Sequence, residues 1–121
     1  MQRKKLKISK PLVWEGNNKK ELLKFPREVQ RDIGYALYLA QCGEKYRFAK
    51  PLKGFGGAGV LEIIENHDGN TYRAVYTVKL EDAVYVLHIF QKKSKRGIRT
   101  PRRDMEIIEA NFKRLMERIK W

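Results

Sequence analysis

The 121-residue chain is the size of one domain with a modest hydrophobic core, and we expect residues 1–121 to form a single domain. A hydrophobic content of 42% excludes a disordered chain, and no apolar stretch reaches the length of a membrane span. The net charge of +13 predicts an anionic partner, and its clustering favours nucleic acid or the ribosome. A lone cysteine, Cys42, and a basic N-terminus without the apolar core of a secretory signal lead us to expect a cytoplasmic protein with no membrane partner.

The first part of the chain predicts a short strand and two helices. "LVWEG" is typical of a strand that ends at Gly16. "NNKKELLKF" predicts a short helix, with Asn18 and Glu21 spaced as a capping pair. A second helix is expected from Pro26 to the stop at residues 42–43, because its apolar residues recur at steps of three or four. These residues are Val29, Ile33, Leu37 and Ala40.

Three strands in an antiparallel meander are predicted next. The glycine-rich "KGFGGAG" lacks the Lys-Ser/Thr ending of a phosphate-binding loop and predicts a tight entry into the sheet. The strands are expected at residues 60–65, 71–79 and 83–92, with turns at residues 68–69 and 81–82.

A C-terminal helix is predicted from Thr100, a suitable N-cap, and Pro101 in the first turn. An apolar stripe runs along it at Met105, Ile108, Phe112, Leu115 and Ile119. The element order predicts a small α+β fold: a twisted antiparallel sheet with two N-terminal helices packed on it and a C-terminal helix.

The alternation of side chains in the middle strand predicts where a site lies. Residues 72, 74, 76 and 78 are the more apolar set and should meet the helices, so Arg73 should project from an open face. The last strand is apolar on both sides, which leaves the face of His88 undetermined; residues 84, 86, 88, 90 and 92 are expected on one side.

If Arg73, Glu62, His88 and Lys92 meet on the open face, they suit RNA cleavage without a metal or other cofactor. The RNA 2′-hydroxyl is then the nucleophile, Arg and Lys stabilise charge on the phosphorane, and His or Glu transfers protons. Two plainer interpretations stay open: His88 as a packed strand residue, and Glu62 as an ion-pair partner that orients Arg73.

Five segments in order, "KPLKG", "GVLEI", "YRAVY", "LHIFQKKS" and "TPRRDMEIIEA", resemble RelE/ParE-superfamily toxins of type II toxin–antitoxin systems, and most closely the HigB-like, phage-related branch. The resemblance covers residues 12–113. It implies the fold given above and a toxin that enters the ribosome and cuts mRNA there. It also implies a cognate antitoxin that often carries a helix-turn-helix domain.

The resemblance implies catalytic roles for Arg73 as the phosphate-binding arginine, for Lys93 near the scissile phosphate, and for His88 and Glu62. It also implies that Lys53 touches RNA. The cations at the edge where the last strand leaves the sheet are expected to meet the phosphate backbone: Lys92, Lys95, Arg96 and Arg99.

Two departures keep other functions open. Ile64 stands where relatives often carry a basic residue, and no tyrosine lies between residues 96 and 104, where Arg99 could stack instead. The alternatives are a ParE-like DNA gyrase poison and a non-catalytic RNA-binding module.

Overall fold

The computed structural model describes residues 6–57, 59–92 and 99–119. The elements within these ranges are β1 (Leu12–Trp14), α1 (Asn18–Leu23), α2 (Arg27–Gln41), β2 (Lys50–Pro51), β3 (Val60–His67), β4 (Asn70–Thr77), β5 (Val84–Lys92) and α3 (Arg102–Ile119). No helix in this part of the chain is both long enough and apolar enough to cross a membrane.

The five strands form one sheet in the order β1-β5-β4-β3-β2, which confirms the predicted RelE-like α+β fold. The β3–β4 hairpin turns at Asp68 and Gly69, both with positive φ (48° and 80°), as the Asp-Gly signal predicted. The sheet is mixed, because β1 runs parallel to β5; the expectation of a purely antiparallel sheet is wrong at this edge. Strand β2 was not predicted, since two exposed residues carry no periodicity.

Helices cover both faces of the sheet. Tyr72, Ala74 and Tyr76 face α1 and α2, as predicted, and pack among Leu22, Phe25, Val29, Ile33 and Leu37. The opposite face packs under α3, where the core contains Val60, Val75, Tyr85, Leu87, Phe90, Ile108 and Leu115. The expected open face is therefore covered by α3, because the apolar stripe of that helix needs a surface to bury.

A bulge in β5 decides which way its side chains point. Val75 pairs with His88, but the next residue of β4, Tyr76, pairs with Val86, so Leu87 is an extra residue. Side-chain alternation restarts there. Val86 consequently faces α1 and α2, whereas His88 shares a face with its cross-strand partner Val75 under α3. The prediction that residues 84–92 keep one alternation is wrong, because strand periodicity fails at a bulge.

Two asparagines satisfy the backbone groups around this bulge. The buried Asn18 accepts a hydrogen bond from the Ile89 N–H (2.9 Å) and donates to the carbonyls of Glu15 (2.6 Å) and Val86 (3.4 Å). From the other layer, Asn111 of α3 donates to the Leu87 carbonyl (2.8 Å). The predicted capping role of Asn18 is wrong: Asn17 is the N-cap of α1, and the Asn18 amide is directed at β5 instead.

Replacement of Asn18 by alanine should destabilise the fold, because it leaves the buried Ile89 N–H without its acceptor. We expect Asn18→Ala to lower the free energy of unfolding by about 1–3 kcal/mol in urea titrations followed by circular dichroism. The matched control is Lys19→Ala, an exposed change in the same helix, which should stay within about 0.5 kcal/mol of the unmodified protein. Equal losses in the two variants would contradict the role assigned to Asn18.

Candidate active site

The register of the three central strands brings the predicted side chains onto the face that α3 partly covers. Directly opposed residues share a face. Three rows cross β3, β4 and β5 in turn: Glu62–Val75–His88, then Ile64–Arg73–Phe90, then Asn66–Thr71–Lys92. Glu62, Arg73, His88 and Lys92 therefore lie within three adjacent rows of one face.

Arg73 lies at the centre of this grid and is buried, with 1% of its surface exposed. Its Nη1 lies 3.4 Å from Oε2 of Glu62, and the Thr100 hydroxyl donates to the same carboxylate oxygen (3.0 Å). The expectation that Arg73 projects from an open face is wrong, because the side chain is buried and the Thr100 hydroxyl lies 3.5 Å from its Nη1. The observed ion pair agrees with the interpretation of Glu62 as the group that orients Arg73.

The entry to α3 also differs from prediction. The helix begins at Arg102, and the Met105 N–H bonds to the Pro101 carbonyl (2.9 Å). Thr100 was expected to cap this helix. Its hydroxyl instead donates a hydrogen bond to Glu62 of β3. This bond connects the segment just before α3 to the sheet.

His88 forms a dyad with Asp104 of α3. Its Nε2 lies 2.8 Å from Oδ1 of Asp104, and its ring stacks on Phe90 with centroids 4.8 Å apart and planes 19° apart. The two side chains remain 13% and 21% exposed. A carboxylate only accepts hydrogen bonds, so Nε2 carries the proton and Nδ1 is the basic nitrogen of the neutral ring. An imidazole held in one tautomer beside a carboxylate can accept and return a proton.

The predicted cations occupy different environments. Lys92 is largely buried, and its Nζ donates to the Arg99 carbonyl (2.9 Å), which places the exposed Arg99 beside the sheet end. Lys53 is exposed in the turn after β2. Lys93, Lys95 and Arg96 lie outside the described residues, and their roles stay predictions.

An open groove of about 590 Å³ adjoins the site along the β2 side of the sheet. We call it the β2-edge groove; besides Glu62 it is lined by Asp32, Tyr46, Arg47, Phe48, Lys50 and Glu65. Burial raises the pKa of Glu65, and the nearby charge of Asp32 raises it further. The aromatic and basic "YRF" at residues 46–48 was the sequence signal for this surface, and sequence reasoning missed it.

Asp104 and Thr100 were also missed. Each contacts the site only because α3 crosses the sheet at a particular position, and no local spacing shows that. Within the described ranges, no three side chains of His, Cys, Asp and Glu are grouped so as to hold a metal ion.

The fold and the polar cluster beneath α3 define a small RelE-like α+β protein. A protein-family model, "Phage derived protein Gp49-like", matches residues 20–113, and the chain belongs to this Gp49-like family. The family is associated with RelE- and toxin-like proteins, which points to a toxin-like function. No curated protein shows significant sequence similarity to the chain.

The buried ion pair should show strong coupling between its two members. Glu62→Ala leaves the Arg73 guanidinium buried beside an empty position, and we expect a loss of about 3–5 kcal/mol in the free energy of unfolding. Addition of Arg73→Met removes the buried charge as well, so the double variant should be more stable than Glu62→Ala alone. Additive losses in denaturant titrations of the double-mutant cycle would show that the pair is not coupled.

The raised pKa of Glu65 predicts a pH-dependent effect. The folded chain binds the Glu65 proton more tightly than the unfolded chain, so this residue makes stability fall as pH rises through its unfolded and then its folded pKa. Glu65→Gln should therefore raise the melting temperature at pH 7. The gain should disappear below about pH 4, where the Glu65 side chain is protonated and therefore as uncharged as the glutamine that replaces it. Glu28→Gln, at an exposed position of α2, is the control; an equal gain there would contradict the burial argument.

Proposed function

We propose that the protein is the toxin of a type II toxin–antitoxin system, of the HigB-like kind, and that it acts as a ribosome-dependent mRNA endonuclease. The observation that carries the proposal is the His88–Asp104 dyad. His88 pairs with Val75, and Val75 pairs with Glu62, so the imidazole lies on the same face of the sheet as Glu62 and Arg73. Membership of the Gp49-like family and the net charge of +13 support it.

The proposed reaction uses the mRNA's own 2′-hydroxyl as the nucleophile. Nδ1 of His88 accepts the hydroxyl proton while the 2′-oxygen attacks the adjacent phosphorus, and Asp104 stabilises the imidazolium through Nε2. The bond from phosphorus to the 5′-oxygen then breaks, and that oxygen takes a proton from an acid such as the imidazolium. The products are a 2′,3′-cyclic phosphate and a 5′-hydroxyl end.

Charge on the phosphorane needs cations close by. The exposed Arg99 and Lys53 are free to meet phosphate from solvent, and we propose these contacts for them together with Lys93, Lys95 and Arg96. Direct contact between Arg73 and phosphate, as the family resemblance implies, requires the buried guanidinium to become exposed, and Thr100 is one of the groups beside it. Until then Arg73 acts by fixing Glu62 and by adding positive potential below the site.

The proposed partners follow from the same charge. The ribosome and mRNA present dense phosphate, and an antitoxin with acidic surface would cover the basic site by electrostatic complementarity. We propose a helix-turn-helix antitoxin as the neutralising partner and the cytoplasm as the location, because both the proposed target and its mRNA are there.

One observation favours a second candidate, the ParE-like gyrase poison. Because Arg73 is 1% exposed and paired with Glu62, the charge that a nuclease would direct at phosphate is enclosed in the fold. A poison that acts by binding alone needs no such charge. A DNA supercoiling assay with purified gyrase separates the two: inhibition there, without mRNA cleavage, would establish the second function.

The two histidines of the chain provide a matched test. Primer extension on ribosome-bound mRNA should reveal cleavage by the unmodified protein and a decrease of about 100-fold or more in rate for His88→Gln, since general acid–base catalysis contributes that much. The control is His67→Gln, at the β3–β4 hairpin and beside Glu28, which should cleave normally. An uncut message with the unmodified protein, or full activity of His88→Gln, would rule out the proposed mechanism.

A further inference from the structure

We propose that the β2-edge groove is a nucleobase subsite, which holds one unpaired base of single-stranded RNA beside the candidate active site. The inference rests on the proposed function for the identity of RNA as the substrate and adds a place where a base is recognised. It depends on an aromatic surface, on cations at the rim and on carboxylates inside the groove.

The aromatic surface is open to solvent. Phe48 is 57% exposed, and its ring lies 5.5 Å from that of Tyr46, at 72°. Tyr35, 52% exposed, continues the cluster 6.2 Å from Tyr46. A flat exposed ring beside a groove offers the stacking platform that single-stranded RNA uses.

Two cations, Arg47 and Lys50, line the groove beside this aromatic surface. The Arg47 guanidinium carbon is 5.0 Å from the centre of the Phe48 ring, and both side chains are exposed. Lys50 of β2 is exposed as well and pairs in register with Glu62 of β3. Alternation of aromatic and basic side chains combines base stacking with phosphate neutralisation.

The carboxylates select the kind of group that enters. Asp32 and Glu65 line the groove, and the charge of Asp32 disfavours the charged form of Glu65. A base edge with N–H donors, such as that of guanine or cytosine, would satisfy these oxygens and relieve the repulsion. An acidic peptide would instead meet two more negative charges. The groove therefore fits a nucleobase better than the acidic segment of a protein partner.

The groove is continuous with the candidate active site through Glu62. This residue lines the groove, and its carboxylate also contacts Arg73 and Thr100. An RNA strand that crosses β3 at Glu62 would therefore place a base in the groove next to the candidate active site.

Binding of short RNA tests the subsite without ribosomes. Fluorescence anisotropy would compare labelled UUUGUU and UUUUUU hexanucleotides on the full chain. We expect Phe48→Ala to weaken binding about tenfold and Phe48→Trp to restore it, since stacking on one ring has this magnitude. Leu23→Ala is the control, because Leu23 is an equally exposed apolar residue (61%) on α1, outside the groove lining. Glu65→Gln should reduce the preference for the guanine-containing strand.

Two results would overturn the subsite: equal affinities of Phe48→Ala and the unmodified protein, or a hexaglutamate peptide that binds as tightly as RNA with the same dependence on Phe48. The test separates this inference from the proposed function. Cleavage of ribosome-bound mRNA without Phe48-dependent RNA binding removes only the subsite. RNA binding that depends on Phe48, without cleavage by the unmodified protein, removes only the endonuclease.

Discussion

The burial of one positive charge organises the candidate site. A guanidinium enclosed at 1% exposure is tolerable only beside a carboxylate and further hydrogen-bond partners, and Arg73 obtains these from Glu62 and from Thr100 within 3.5 Å. The three residues come from β4, β3 and the segment that enters α3. One electrostatic requirement therefore ties the position of α3 to the two central strands, and every other contact of the site depends on where that helix begins.

The bulge in β5 is the second constraint, and it determines the direction in which the side chains of β5 point. If β5 kept a regular alternation through Leu87, His88 would share the face of Val84 and Val86 and point at α1 and α2. With the bulge, the imidazole lies under α3 within reach of Asp104. The bulge exposes backbone groups that the ladder no longer pairs, and asparagine side chains from both helical layers replace the missing bonds.

The sequence predicted the elements with strong periodicity and missed what depends on three-dimensional placement. The stripes of α2 and α3 and the apolar runs of β3, β4 and β5 were recognised because burial imposes a spacing on them. The bulge was missed because the side chain that bonds to it, Asn18, lies about 70 residues away along the chain, and a capping pattern explained the same residue locally. The contact of Asp104 with His88 likewise follows from helix placement. Charge clustering predicted a basic rim, but it could not show that Arg73 is buried.

These two constraints give the residues of the site different roles. A buried arginine is well suited to hold Glu62 still and poorly placed to reach a phosphate from solvent. A partly exposed imidazole with a fixed tautomer is suited to proton transfer, and exposed cations at the rim are suited to bind the backbone. Chemistry and charge thus come from different layers of the site. Movement of Thr100 is the step that would join them, because Thr100 lies before α3, whereas Glu62 lies in the central strand β3.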